Sequence, residues 1–215
     1  LELSCFLPRE EIADAFICLN HASIEELPER AVVGSASLRR QALIRRMRPD
    51  IQVVNYRGNV QTRLRKLAEG EVDATILAQA GLNRLGMSDR ITGLLPVDHF
   101  PPAPGQGAIC VETRTGDQAI NDLLAPINDR DTFISLSCER AFLAGLDGSC
   151  RTPIAGNAKI SGEHLAFHGM ILRPDGSEVH ETHLEGSIAD CVSIGEDAAS
   201  ILRDKAGESF FESWA

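Results

Sequence analysis

Four arginines fall at two places where a strand gives way to a helix. Arg39 and Arg40 follow Gly34-Ser35-Ala36-Ser37, and Arg63 follows Arg57-Gly58-Asn59. A helix start exposes unpaired N–H groups and the positive end of the helix dipole. Cations placed there oppose the dipole, an arrangement that makes sense when an anion is bound. The planar fork of arginine suits carboxylate or phosphate oxygens. Ser37 and Asn59 can cap the two helices, and Gly58 permits close backbone approach. A further candidate is Cys150 in Gly148-Ser149-Cys150-Arg151, a thiol on a turn beside a cation that can lower its pKa. Cys5, Cys18, Cys110, Cys138 and Cys191 sit inside apolar patterns and read as small buried hydrophobes. Gly105-Gln106-Gly107 is too short for a dinucleotide fingerprint and reads as a segment passing close to a ligand. His164, His168, His180 and His183 fall in predicted strands and loops. They lack the helical spacing of a metal motif, so no metal is expected.

These groups need elements to position them. Residues 1–6 and 14–19 read as strands. Ala31 to Gly34 is a short buried strand, followed by a helix from Leu38 to about Arg48 that Pro49 ends. Ile51 to Asn55 is a strand, and Val60, Leu64 and Leu67 mark a second helix that Gly70 stops. Asp73 to Ala78 is a strand, and Ala80 to Leu85 a short helix. The alternation argues for an α/β unit with a largely parallel sheet. There, successive strand-to-helix turns gather at the carboxyl ends of the strands, so Ser37, Arg39, Arg40, Arg57, Gly58 and Arg63 can line one cleft. Pro96 to Gly107 is a Pro/Gly-rich crossover and a domain boundary. A strand (108–112) and two helices (117–124 and 132–146) follow, with Arg140 interrupting the apolar stripe of the second. Strands at 154–160, 165–172 and 178–184, a Pro174-Asp175-Gly176 turn and a final helix capped by Ser187 predict a small α+β domain with an antiparallel three-stranded sheet.

The 215-residue chain has a formal net charge of −10. Residues 39–66 nonetheless hold nine basic residues against one acidic, Asp50. A basic island in an acidic protein points to a specific anionic ligand rather than to a nucleic-acid coat or membrane surface. Arg45, Arg46 and Arg48, late in their helix, complement its dipole, and Arg65 and Lys66 read as surface charge. No apolar run approaches the 18 residues of a membrane span, no signal peptide is visible, and the cysteines form no Cys-x-x-Cys pair. A reduced, cytoplasmic setting is expected.

Six blocks together resemble the hydroxymethylbilane synthase (porphobilinogen deaminase) family. They are Gly34-Ser35-Ala36-Ser37-Leu38-Arg39-Arg40, Tyr56 to Leu64, Ile76 to Gly86, Gly105-Gln106-Gly107-Ala108, Glu139 to Leu143, and Leu146-Asp147-Gly148-Ser149-Cys150. They come in the family's order and span nearly the whole chain. The resemblance implies a three-domain α/β protein whose first two domains are similar to type II periplasmic-binding-protein lobes. Residues 1–8 and 102–126 would be parts of domain 1, 9–101 domain 2 and 127–215 domain 3. It implies head-to-tail condensation of four porphobilinogen units, with ammonia released each time, to hydroxymethylbilane. The cofactor implied is dipyrromethane, held by a thioether to Cys150. Arg39, Arg40, Arg57 and Arg63 match arginines that bind its acetate and propionate groups. Ser37, Gly58, Ala78, Gln106 and Gly107 match positions lying against it. The resemblance further implies a cytoplasmic monomer acting on a small molecule, without nucleic acid, membrane or metal. Ala36 stands where the family often has Ser, which removes one hydroxyl contact. The family's His-Ser-Met-Lys-Asp-type motif, with its catalytic carboxylate, does not occur in these residues. The expectation is therefore a chain that begins within domain 1 and is inactive alone. The alternative is a non-catalytic module that binds a small polycarboxylate, for which a loop thiol at Cys150 has no use. An RNA-binding reading has only Tyr56 as a stacking aromatic near the arginines.

Overall fold

The computed structural model describes residues 1–149 and 152–214. Two strands, β1 (Glu2–Phe6) and β7 (Cys110–Thr113), pair antiparallel although they lie far apart in sequence. Between them the chain forms a five-stranded sheet of β2 (Asp14–Cys18), β3 (Val32–Gly34), β4 (Gln52–Val54), β5 (Ala74–Ala78) and β6 (Gly93–Leu95), in the order β4-β3-β5-β2-β6. Helix α1 (Leu38–Met47) connects β3 to β4, and α2 (Val60–Ala68) connects β4 to β5. Short α3 (Gln79–Arg84) follows β5 directly.

The sheet is mixed, where a largely parallel one was expected. β3 runs parallel to β4 and β5, but β2 runs antiparallel to both β5 and β6. The cause is connectivity. β2 is entered from β1 without a crossover helix, along a segment that Leu7 N–H→Ile109 O (3.0 Å) and Glu10 N–H→Gly107 O (3.1 Å) tie to the returning chain. A fully buried strand such as Asp-Ala-Phe-Ile-Cys has no polar face, so its residue pattern does not encode direction. The reversal places Asp14, the first residue of β2, opposite Ala78, the last residue of β5. A carboxylate thereby stands at the edge where β3 and β5 end.

Beyond the crossover come α4 (Gln118–Leu124) and α5 (Arg130–Gly145). Then β8 (Ile154–Ser161), β9 (His164–Leu172) and β10 (Val179–Ser187) form the expected antiparallel three-stranded sheet, ordered β10-β9-β8. Helix α6 (Cys191–Ala206) and short α7 (Glu208–Phe211) follow. Phe142, Phe167, Ile171, Leu202 and Phe210 bury the inner face of this sheet against α5 and α6. Arg140 turns outward on α5, and so does Phe133, whose ring meets Phe6 edge-on. Ala155, Met170 and Leu172, on the other sheet face, join the core around Phe16, Ile44 and Phe100. The two sheets therefore share one hydrophobic cluster. No helix among the described residues is long and apolar enough to cross a membrane.

Candidate carboxylate-binding site

Helix α1 begins as the sequence requires. Ser37 is extended (φ −87°, ψ 119°), and its hydroxyl accepts from the Arg40 N–H. The next two side chains then reach the β2–β5 edge. Arg39 is buried and donates from Nη2 to Asp14 Oδ2 (2.7 Å) and from Nη1 to the Pro101 carbonyl (2.7 Å). Arg40 donates from Nη2 (2.6 Å) and Nε (3.0 Å) to Asp14 Oδ1. Gln106 closes the network: its amide nitrogen donates to Ile12 O (2.7 Å) and Asp14 Oδ1 (3.0 Å), while its oxygen accepts from Arg39 Nη2 (3.3 Å). One carboxylate thus holds two guanidinium groups side by side, and their arrangement is fixed before any ligand arrives.

The electrostatics follow from this packing. Burial alone would raise the Asp14 pKa, but the charges and hydrogen bonds of Arg39 and Arg40 outweigh it and hold the carboxyl below its ordinary value. Burial lowers the Arg39 pKa; Asp14 opposes that effect and Arg40 adds to it. Burial and the charge of Arg40 also lower Arg63. Three arginines against one aspartate leave the site with excess positive charge.

Arg40 and Arg63 line a cavity of about 420 Å³ with Ala36, Ser37, Arg39, Ala103, Pro104, Leu143, Ser149, Thr152 and Ile154. That volume falls within the range of small-molecule pockets, roughly 300–1,000 Å³. Two buried guanidinium nitrogens of the site, Arg39 Nε and Arg63 Nε, have no hydrogen-bond partner among the described residues. A buried charged donor left unpaired is costly, and it adds to the positive potential the cavity offers an acid. Cys150 lies outside the described residues. Its neighbours Ser149 and Thr152 belong to the cavity wall, and the Thr152 hydroxyl accepts from the Ser149 N–H (2.9 Å).

The remaining expected residues are more spread out. Arg57 and Gly58 are exposed at the start of α2 and are absent from the cavity wall. Gly58 has φ +134°, and Asn59 caps α2 through the Thr62 N–H (2.8 Å). Ala78 ends β5 at the rim, opposite Asp14. Gly107 has φ +83°, and a Cβ there would lie 2.5 Å from the Glu10 carbonyl oxygen, so the crossover can pass only as glycine. Gly107 therefore positions Gln106.

Two acidic residues escaped the sequence reading. Asp14 is one, and its signal was a lone carboxylate opening an otherwise apolar strand. Glu139 is the other: fully buried on α5, it accepts Arg9 through both oxygens (2.7 and 2.9 Å), the Gly105 N–H (2.6 Å) and the Ala158 N–H (2.9 Å). It fastens the crossover to the C-terminal sheet beside the cavity.

Residues 1–122 match the family model described as porphobilinogen deaminase, dipyromethane cofactor binding domain, and residues 133–204 match porphobilinogen deaminase, C-terminal domain. The porphobilinogen deaminase of Nitrobacter hamburgensis is 54% identical over 213 residues, covering 99% of this chain and 67% of that protein. A solved structure described as R. palustris Rpa4515 with adipate covers 99% of this chain and 68% of its own. Its TM-score of 0.38 and identity of 17% are too low to bear on fold or function. With two family models spanning most of its length and a relative sharing more than half of its residues, the chain belongs to the porphobilinogen deaminase family, transferases of tetrapyrrole biosynthesis.

Proposed function

We propose that the cavity between α1, α2 and the turn bearing Cys150 holds the carboxylates of a pyrrole chain during head-to-tail condensation of porphobilinogen to hydroxymethylbilane. The observation that carries this reading is a cavity wall that brings together Arg39, Arg40 and Arg63 with one aspartate, Asp14, paired to the first two. A dipyrromethane fits that donor set, because its acetate and propionate arms are the acids such guanidinium groups need. When bound through Cys150, the group supplies the pyrrole end to which further units are joined.

The chain's own residues bind and orient. Arg40, Arg63 and the N-terminus of α1 take carboxylates. Arg39, fixed by Asp14 and Pro101, contributes its charge from a rigid, buried position. Each added unit brings two more carboxylates, and a partly buried cationic site tolerates that accumulation without being consumed. Arg57, exposed at the next helix start, is placed to meet acids further along a growing chain. Gln106 and Gly107 keep Asp14 in register, and Ala78 and Gly58 leave backbone room at the rim. Cys150 serves as a tether, which gives successive couplings a high effective concentration. Domain limits at 9–101 and from 127 onward agree with the crossover and the two sheets. The single reversed strand supports a periplasmic-binding-like lobe for the first of these. The protein acts as a cytoplasmic monomer on a small molecule.

Intact-mass spectrometry of the chain expressed in cells that make porphobilinogen tests this reading. The expected mass exceeds 23.3 kDa by one dipyrromethane, and the excess disappears in Cys150→Ser. An adduct that survives Cys150→Ser overturns the assignment of Cys150 as the tether.

A further inference from the structure

The face of the C-terminal sheet turned away from α5 and α6 carries a second cluster of chemistry-bearing side chains, none of which lines the arginine cavity. His168 on the central strand β9 stands directly opposite His183 on β10, and Glu181 lies two residues before His183 on the same face. The imidazole rings stack with centroids 4.1 Å apart and planes 13° from parallel. His168 Nε2 and Glu181 Oε2 are 3.2 Å apart, and one ligating atom from each of the three side chains lies within 4.8 Å of the others.

From this geometry we propose that His168, Glu181 and His183 bind one divalent transition-metal ion, with zinc as the best match. Zinc–nitrogen and zinc–oxygen bonds of about 2.0–2.2 Å put tetrahedral ligands roughly 3.3–3.6 Å apart. The ligating atoms now lie within 4.8 Å of one another, so metal binding must draw them together by up to about 1.5 Å and turn the two rings out of their parallel stack. Two imidazoles and one carboxylate suit zinc better than magnesium or calcium, which favour all-oxygen sets. The missing helical geometry that argues against a metal in the sequence is no obstacle across paired strands. Antiparallel register brings His168 and His183 together although 14 residues separate them.

The surroundings leave room for an ion. A cavity of about 250 Å³ opens over His168 and His183 and is also lined by Asp98, Asn157, Lys159 and Glu185. Asp98 and Glu185 offset the positive charge of the ion and of Lys159. Glu181 and His183 are exposed and His168 is partly buried, so metal can enter from solvent and a water can complete the coordination. The bound ion ties the central strand to an edge strand of the sheet next to Cys150 in sequence. Binding only to the folded state, it raises stability by linkage.

The test uses untagged, metal-stripped chain titrated with ZnCl2, read by calorimetry and by thermal unfolding. The expected result is one saturable site per chain and a midpoint that rises with zinc. His168→Ala and His183→Ala should each weaken binding at least ~100-fold and abolish the rise, and isosteric Glu181→Gln should weaken it ~10-fold or more. Co2+ substitution should give d–d bands without a thiolate charge-transfer band, which excludes the cysteines as ligands. The proposal is overturned by the absence of a saturable site. It is equally overturned by zinc affinity unchanged in folded His183→Ala or Glu181→Gln protein, or by thiolate bands with Co2+.

Discussion

Replacing Asp14 by Asn probes the element on which the arginine pair depends. The side chain keeps its shape but loses its charge. Asp14 is fully buried and accepts four hydrogen bonds of 2.6 to 3.0 Å from Arg39, Arg40 and Gln106. In Asp14→Asn, two guanidinium groups remain close together in a poorly solvated place, and one amide oxygen must serve both. Removing one partner of a buried ion pair costs about 3–5 kcal/mol, mostly the price of the stranded charge. For a domain of this size, each kcal/mol lowers the thermal midpoint by about 2–4 °C, so a fall of roughly 6–20 °C is expected. Urea unfolding read by circular dichroism gives the free energy directly. The pH dependence adds a second signature. The folded-state pKa of Asp14 lies below its ordinary value, so its stabilisation is fully present above about pH 4 and is lost as pH falls through the depressed pKa. Asp14→Asn should lack that acid-side component. A loss under ~1 kcal/mol, with an unchanged acid limb, would refute the claim that Asp14 organises the site.

Glu139→Gln should cost about 3 kcal/mol by stranding Arg9, and urea unfolding should detect it. Gly107→Ala forces a side chain into a positive-φ position against the Glu10 carbonyl; a loss of ~1–3 kcal/mol is expected, with displaced Gln106 weakening carboxylate binding in the same calorimetric assay. Restoring the family's common residue through Ala36→Ser should keep the fold and strengthen carboxylate binding by up to ~10-fold, since position 36 lines the cavity.

Much of this site can be read from residue order alone, because its local parts are set by local chemistry. Ser37 and Asn59 cap their helices through their own side chains, and Pro49 and Gly70 mark where those helices end. Three successive strand segments, two of them joined by the Pro174-Asp175-Gly176 turn, are enough to predict the antiparallel sheet of β8 to β10. What escaped is non-local. The direction of β2 is decided by a tie between residues 7–10 and 107–109, and direction alone determines that Asp14 meets Arg39 and Arg40 instead of facing the opposite edge. The partner that explains Glu139, Arg9, lies 130 residues earlier in the chain. Arg57 shows the opposite mismatch: its place at a helix start is as expected, but the wall of the cavity is built by Arg40 and Arg63.

The central claim is that Arg40 and Arg63, and not the basic island as a whole, hold pyrrole carboxylates. Calorimetric titration of porphobilinogen into the chain, compared across single substitutions, tests it most directly. Arg40→Leu and Arg63→Leu should each weaken binding by roughly 10- to 150-fold, the worth of a charge-assisted hydrogen bond at about 1.5–3 kcal/mol. Arg65→Leu, which removes an exposed arginine paired with Glu69, should leave affinity unchanged. Equal losses in all three variants, or full affinity in Arg40→Leu and Arg63→Leu, would contradict the account.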